Sequence, residues 1–259
     1  MSEKGVLSSE TVDGVRILTI DRPEKRNALN AAVRAALSEA LALAETDPAV
    51  RVLVFTGAGD QAFVAGADVS EFAGRSPLEQ REAMRAGLFD DVWNFPKPTI
   101  AMINGYCLGG GCELALACDL RIGADSSRLG QPEVRLGIIP GGGATQRLPR
   151  LVGYGKALQL VLTGEIVDAV SAYEIGLLDE IVPAVDLRER TLEIARSMAE
   201  KSPVTLALAK RALRAAYEMP LTAGLAHERD LFALAFATED KEEGVRAFLE
   251  KRPPEWKGR

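Results

Sequence analysis

The sequence predicts a mixed α/β body followed by a helical C-terminal part. Three patterns carry that expectation. Short apolar or alternating runs of strand length recur as far as residue 130, helical periodicity dominates from Gly141 onward, and 259 residues at 47% hydrophobic and 26% charged suffice for one large domain or two small ones with a real core. Gly14 to Asp21 (GVRILTID) alternates apolar and polar residues and reads as a strand, broken by Arg22-Pro23-Glu24-Lys25. Asn30 is an N-cap for a helix to about Ala44, with Val33, Leu37 and Leu41 on one stripe. Val50 to Thr56 (VRVLVFT) reads as a buried strand and Pro98 to Ile103 as another. A helix follows over about Gly110 to Cys118, then extended pieces at Leu120 to Ala124 and Arg128 to Gly130.

The C-terminal helical patterns cover Ala144 to Leu151, Lys156 to Leu162, Ala169 to Ile175, Leu187 to Glu200, Pro203 to Tyr217, Leu221 to Phe236 and Glu239 to Lys251. Glu180 to Pro183 is the main strand among them, and Arg252 to Arg259 is a proline-rich, charged tail. No repeat of 20–50 residues is visible in the sequence.

Composition excludes several kinds of function. No apolar run is long enough to span a membrane. Met1 to Ser9 is short, polar and mixed in charge, unlike a signal or transit peptide, so a cytoplasmic protein is expected. A net charge of −6 gives no counterion-release drive toward nucleic acid, and a basic patch at Arg22, Lys25 and Arg26 is small. Cys107, Cys112 and Cys118 match no zinc or redox spacing and read as reduced thiols packed as small apolar groups. The single histidine, His227, lies in a late helix far from any nucleophile motif. A Ser-His-Asp or Cys-His hydrolase and a His-rich metal site are thereby disfavoured, and acid–base work falls to carboxylates.

Four segments are candidates for a site. Gly57-Ala58-Gly59-Asp60-Gln61-Ala62 fits a dinucleotide-binding pattern after a strand, but no helix start follows, so it is a plain turn. Ala65-Gly66-Ala67-Asp68 would let a ligand approach the backbone, with free N–H groups nearby if Asp68 caps a helix. Asn104 through Glu113 places three glycines before an apolar helix, at up to ~1 kcal/mol each relative to alanine where helical. Close backbone approach and an anion site at the helix N-terminus would explain them, with Glu113 in the first turn. Leu129 through Gly143 carries Glu133 after a proline, which alone would be a solvated turn residue.

At these residues the sequence resembles the enoyl-CoA hydratase/isomerase family, the crotonases. The matching blocks are Arg22 through Asn30, Phe63 through Asp68, Asn104 through Asp119, Gly130 through Gly143, Thr145 through Arg150, Phe236 through Asp240, and Glu243-Gly244. They follow the family's order along nearly the whole chain. The resemblance implies a spiral of strand-strand-helix repeats over residues 1–200 and a helical oligomerisation region over 201–259, building a homotrimer or a homohexamer of two stacked trimers. It implies an oxyanion hole from the amides of Ala67 and Gly110. Coenzyme A would lie against Lys25, Arg26 and Ala28 and against Ala65, Ala67, Asp68, Val69 and Gly110.

Glu113 and Glu133 match the two catalytic carboxylates of the family's hydratases, so the expected reaction adds water to a trans-2-enoyl-CoA. No metal or cofactor is implied, coenzyme A being part of the acyl-CoA thioester substrate. The family also contains Δ3,Δ2-enoyl-CoA isomerases, for which one carboxylate can suffice, and hydrolases, dehalogenases and decarboxylases that usually alter one of the two positions. A nucleic-acid-binding or non-catalytic protein on the same fold is the alternative of another class, and the acidic charge balance disfavours RNA. The acyl pocket is expected within residues 70–95, including Phe72, Leu78, Met84, Leu88, Phe89 and Trp93. Fatty-acid β-oxidation, branched-chain and aromatic degradation all use such enzymes.

Overall fold

The computed structural model describes residues 5–85 and 87–259. Residues 1–4 of the polar opening segment, and residue 86 within the expected acyl-pocket segment, lie outside the described residues. The strands are β1 (Leu7–Val12), β2 (Val15–Ile20), β3 (Val52–Gly57), β4 (Ala62–Val64), β5 (Thr99–Ile103), β6 (Tyr106–Leu108), β7 (Leu120–Ala124), β8 (Arg128–Gly130), β9 (Ile166–Asp168) and β10 (Glu180–Val182). The helices are α1 (Ala31–Thr46), α2 (Pro77–Arg85), α3 (Leu88–Asn94), α4 (Gly110–Ala117), α5 (Ala144–Val152), α6 (Tyr154–Thr163), α7 (Ala169–Glu174), α8 (Leu187–Ala199), α9 (Pro203–Ala215), α10 (Leu221–Ala235) and α11 (Glu239–Glu250). Short 3-10 segments occupy Pro23–Lys25, Val69–Phe72 and Pro132–Leu136.

Successive turns of the chain deal one strand to each of two sheets before a helix returns it. The larger sheet runs β1-β2-β3-β5-β7-β10 and the smaller runs β4-β6-β8-β9. This is the strand-strand-helix spiral that the resemblance implied and that no periodicity in the sequence disclosed. In the smaller sheet β4, β6 and β8 are parallel, so their C-terminal ends lie together.

The central strands of the large sheet are buried on both faces. Leu18, Ile20, Leu53, Phe55, Ala101 and Ile103 point into the main core beneath α1, α3 and α4. Their neighbours Val15, Ile17, Val52, Val54, Ile100 and Met102 form a second core with Leu187, Leu192 and Ala195 of α8. Two-sided burial explains why Val50 to Thr56 reads as a nearly continuous apolar run. Helix α1 begins as expected: the Val33 amide donates to Asn30 Oδ1 at 2.9 Å, and Val33, Leu37 and Leu41 are buried. All three cysteines are free and buried, and burial pushes the Cys107 and Cys118 thiols up. Among the described residues no helix is long and apolar enough to cross a membrane.

Helix α4 is seated by a main-chain contact. A Cβ added at Gly111 would lie 2.0 Å from the Val64 carbonyl oxygen and 2.7 Å from the Val64 Cβ. Strand and helix would have to part to admit it. Gly111→Ala is therefore expected to destabilise the protein by about 1–3 kcal/mol, read as a lower denaturant midpoint. An unchanged midpoint would contradict the α4–β4 contact.

Candidate active site

The ends of β4, β6 and β8 open onto a cavity of about 730 Å³ whose lining includes Ala67, Phe89, Gly110, Glu113, Glu133 and Gly142. That size suits a small-molecule site. Its floor is made of backbone. Gly109 precedes α4 with φ +49° and ψ −121°, a conformation that a side chain would strain. A Cβ there would also sit 3.0 Å from Glu133 Oε1.

Next to it, Gly110 brings the α4 N-terminus against residues 66 and 67, so close that a Cβ on Gly110 would be 3.5 Å from the Ala67 nitrogen. Ala67 pairs with Leu29 as an isolated bridge. In that bridge the Leu29 amide donates to Gly66 O and the Asp68 amide donates to Leu29 O, each at 2.9 Å. Among the hydrogen bonds of the described residues, none is donated by the Ala67 or Gly110 amide. Two adjacent N–H groups, one at a helix N-terminus, are thus left without a protein acceptor among the described residues, at a cavity that both residues line.

Glu113 is buried in the first turn of α4, at 4% exposure. Its Oε1 accepts from the Gly142 amide at 2.6 Å and the Ala144 amide at 3.1 Å. Ala144 opens α5, so this carboxyl lies at the starts of two helices at once. Burial pushes the carboxyl up, while the Ala144 and Gly142 amides and the Arg147 guanidinium pull it back. Gly142 is a close-approach position, because a Cβ there would meet Phe89 at 2.3 Å and Glu113 Oε2 at 2.7 Å.

Glu133 lies half-buried in the 3-10 segment after β8. Burial pushes its carboxyl up to about 7; its own backbone amide pulls against this, and the nearby Glu113 charge adds a smaller push. The buried Gln131 amide nitrogen, in the orientation that satisfies its surroundings, donates to both Glu133 oxygens at 3.0 and 3.2 Å. The two glutamates therefore differ in kind. Burial raises both carboxyls; at Glu113 two amide donors and a nearby cation oppose the rise, whereas Glu133 is pushed up to about 7.

The structure brings Ala65, Ala67, Val69, Gly110, Glu113 and Glu133 onto one cavity. Lys25, Arg26, Ala28 and Asp68 stand outside its lining. Lys25 and Arg26 are exposed, and the Arg26 carbonyl accepts from the Ala65 amide at 3.0 Å. Asp68 precedes a single 3-10 turn and does not cap a helix; its carboxylate accepts from Ser70 Oγ and Arg22, which hold it below the usual range. Of the expected acyl-pocket residues, Phe72, Met84 and Phe89 line the cavity. Leu78 is 74% exposed, Leu88 belongs to the core, and Trp93 lines a separate cavity. The 57–62 segment is a turn leading into β4, with no dinucleotide-binding helix. Among the described residues no cluster of three or more His, Cys, Asp or Glu could hold a metal ion.

Sequence reasoning gave no role to Gly142, Ala144 or Arg147. The available signal was the glycine run 141–143 before a helix, the same sign that singled out residues 109–111.

A family model described as enoyl-CoA hydratase/isomerase matches residues 10–259. The chain is 46% identical over 245 residues to a 2,3-dehydroadipyl-CoA hydratase of Escherichia coli (strain K12), covering 95% of this chain and 96% of that one. It is 42% identical to a crotonyl-CoA hydratase of Syntrophomonas wolfei, covering 94% of each. The crystal structure of an enoyl-CoA hydratase from Bacillus anthracis superposes with a TM-score of 0.94 at 40% identity, covering 98% of this chain and all of that one.

The environments of the two carboxyls predict a titration. The Glu133 side-chain carboxyl, followed by carbon NMR of labelled glutamate, is expected to titrate near 7. Glu113→Gln removes a neighbouring negative charge that raises it, so the Glu133 transition should then move to lower pH. A transition that stays in place or rises would show that the two groups do not share a site.

Proposed function

Because this chain belongs to the enoyl-CoA hydratase/isomerase family, we propose that it hydrates trans-2-enoyl-CoA thioesters to 3-hydroxyacyl-CoA, with Glu113 and Glu133 as the paired acid and base. The observation that carries this reading is two glutamates with different hydrogen-bond partners in one cavity, beside two adjacent amides that donate no hydrogen bond among the described residues. The named hydratases among its relatives support it further.

The thioester oxygen lies between the amides of Ala67 and Gly110. Ionised Glu113 accepts a proton from water as the water oxygen bonds to C3. Electron density moves through C2 to the thioester oxygen, where both amides stabilise it; removing one such donor typically costs ~2.7–4 kcal/mol. Protonated Glu133 then delivers its proton to C2. The chain needs two carboxyls in opposite states for this; burial raises both, and the amides and guanidinium around Glu113 oppose the rise there. An isomerase only moves a proton and would leave the second carboxyl without a task. Proton transfer and amide stabilisation complete the chemistry without a metal or redox cofactor.

The same proposal places coenzyme A along Lys25, Arg26, Ala28, Ala65 and residues 67–69. It assigns residues 201–259 to assembly of a homotrimer or homohexamer. The apolar surface there supports assembly: Leu213, Leu221, Phe232, Phe248 and Leu249 are all at least 66% exposed. A cytoplasmic location and a part in fatty-acid metabolism belong to this reading as well.

Glu113→Gln and Glu133→Gln should each lower hydration of crotonyl-CoA, followed by loss of enoyl absorbance, by at least ~100-fold. If neither does so in a folded protein, the two-carboxylate reading is wrong.

A further inference from the structure

Arg147 does not line the cavity, yet its contacts converge on the seat of Glu113. It lies in the first turn of α5, with a side chain only 14% exposed. Nη1 donates to the Gly142 carbonyl at 3.0 Å, and Nη2 donates to Asp90 Oδ1 of α3 at 2.8 Å. Its guanidinium carbon lies 5.1 Å from the centre of the Trp93 ring, also on α3. Gly142, held through its carbonyl, donates its own amide to Glu113. Gly143, next in the chain, has φ +112°, and a Cβ there would lie 2.2 Å from Nη1. The glycine run is thus folded around this guanidinium.

We propose that Arg147 is the positioning residue of the catalytic base, gripping the Gly142 peptide that orients Glu113. The inference rests on the hydratase reading for its consequence in turnover, and on the Gly142 contacts together with the pull of the guanidinium for its action on the carboxyl. A salt bridge placed only to join α5 to α3 would need Asp90, whose side chain is 75% exposed, and such exposed pairs contribute little. The bond to Gly142 instead fixes the loop that touches the reacting group.

Several charged groups surround this arrangement: Asp119, Arg121, Lys210 and Arg214 line a second cavity together with Arg147. Glu133 faces Glu113 from the 3-10 segment, Asp90 faces Arg147 from α3, and Arg214 of α9 shares the Trp93 ring at 4.1 Å. Arg147 lowers the Glu113 carboxyl's affinity for protons. Removing the cation therefore raises that affinity, and the acid limb of kcat/KM, which reports ionisation of the base, moves to higher pH.

The test compares Arg147→Met and Arg147→Lys with wild type on crotonyl-CoA. For Arg147→Met, kcat should fall about 10- to 100-fold, KM should stay within about threefold, and the acid limb should move to higher pH. Arg147→Lys keeps the charge but not the fork. It should hold the limb near its wild-type position while kcat stays reduced. Lower thermal stability with kcat and the limb unchanged would make Arg147 a merely structural residue and overturn the proposal. Should Arg147→Met not fold, unchanged kcat in Arg147→Lys overturns it in the same way. Carbon NMR titration of the Glu113 carboxyl in wild type and Arg147→Met needs no turnover. An upward shift there supports Arg147's action even where wild type fails to hydrate any enoyl-CoA, an outcome that would sink the hydratase reading instead, and no shift overturns it.

Discussion

Main chain meeting main chain at the start of α4 is the constraint on which the site depends. Gly105 approaches Gln61 and Gly111 approaches Val64 so closely that a Cβ at either would collide with backbone atoms. Between them Gly110 comes against Ala67. Each glycine weakens the local helix or strand, and side chains elsewhere would pack better. What the glycines permit is two amide groups from distant parts of the chain held side by side by rigid elements. A side-chain donor would have to be ordered for the purpose, whereas these amides are fixed by the fold itself.

Burying two carboxyls beside one another is costly, and the surroundings resolve the conflict by treating them unequally. Glu113 receives two amide hydrogen bonds, the starts of two helices and a nearby guanidinium. Glu133 has the Gln131 amide as its donor, and burial pushes its carboxyl up to about 7. The difference is one of neighbours, since the residues are identical in chemistry. Those neighbours come largely from residues 142–147, so one segment sets the difference between the two carboxyls.

Much of the fold could be read directly, and the gaps have physical causes. The strand at Val15–Ile20, the Asn30 cap and the two-sided burial of Val52–Gly57 follow from local pattern. β1 was missed because four of its six residues are exposed, leaving no apolar alternation. β4, β6 and β9 have three residues each, too few to show a period. Apolar spacing within residues 70–95 could not tell the cavity from the core, so Leu88 and Trp93 were misplaced alongside Phe72 and Phe89. The resemblance supplied the glutamates. Nothing in the sequence disclosed that Asp68 turns to Arg22, or that Gly142 turns to Glu113.

The separation of Glu113 and Glu133 along the chain becomes intelligible only through the register of the smaller sheet. Leu108 of β6 pairs with Gly130 of β8, and the Gly109 amide donates to the Gly130 carbonyl. One turn of the spiral thus returns the chain to the same level, and Glu133, three residues past Gly130, comes down beside Gly109. The turn before does likewise: Val64 of β4 pairs with Cys107, and Ala67, three residues on, meets Gly110. All the groups therefore gather just beyond the carboxyl ends of three parallel strands, the place where open parallel sheets present backbone and side chains to a ligand. A single residue inserted between Asp119 and Gly130 so as to shift the register of β8 by one would keep every motif in the sequence intact. It would also rotate one carboxyl out of the cavity, because a shift of one residue in a strand turns its side chains to the opposite face.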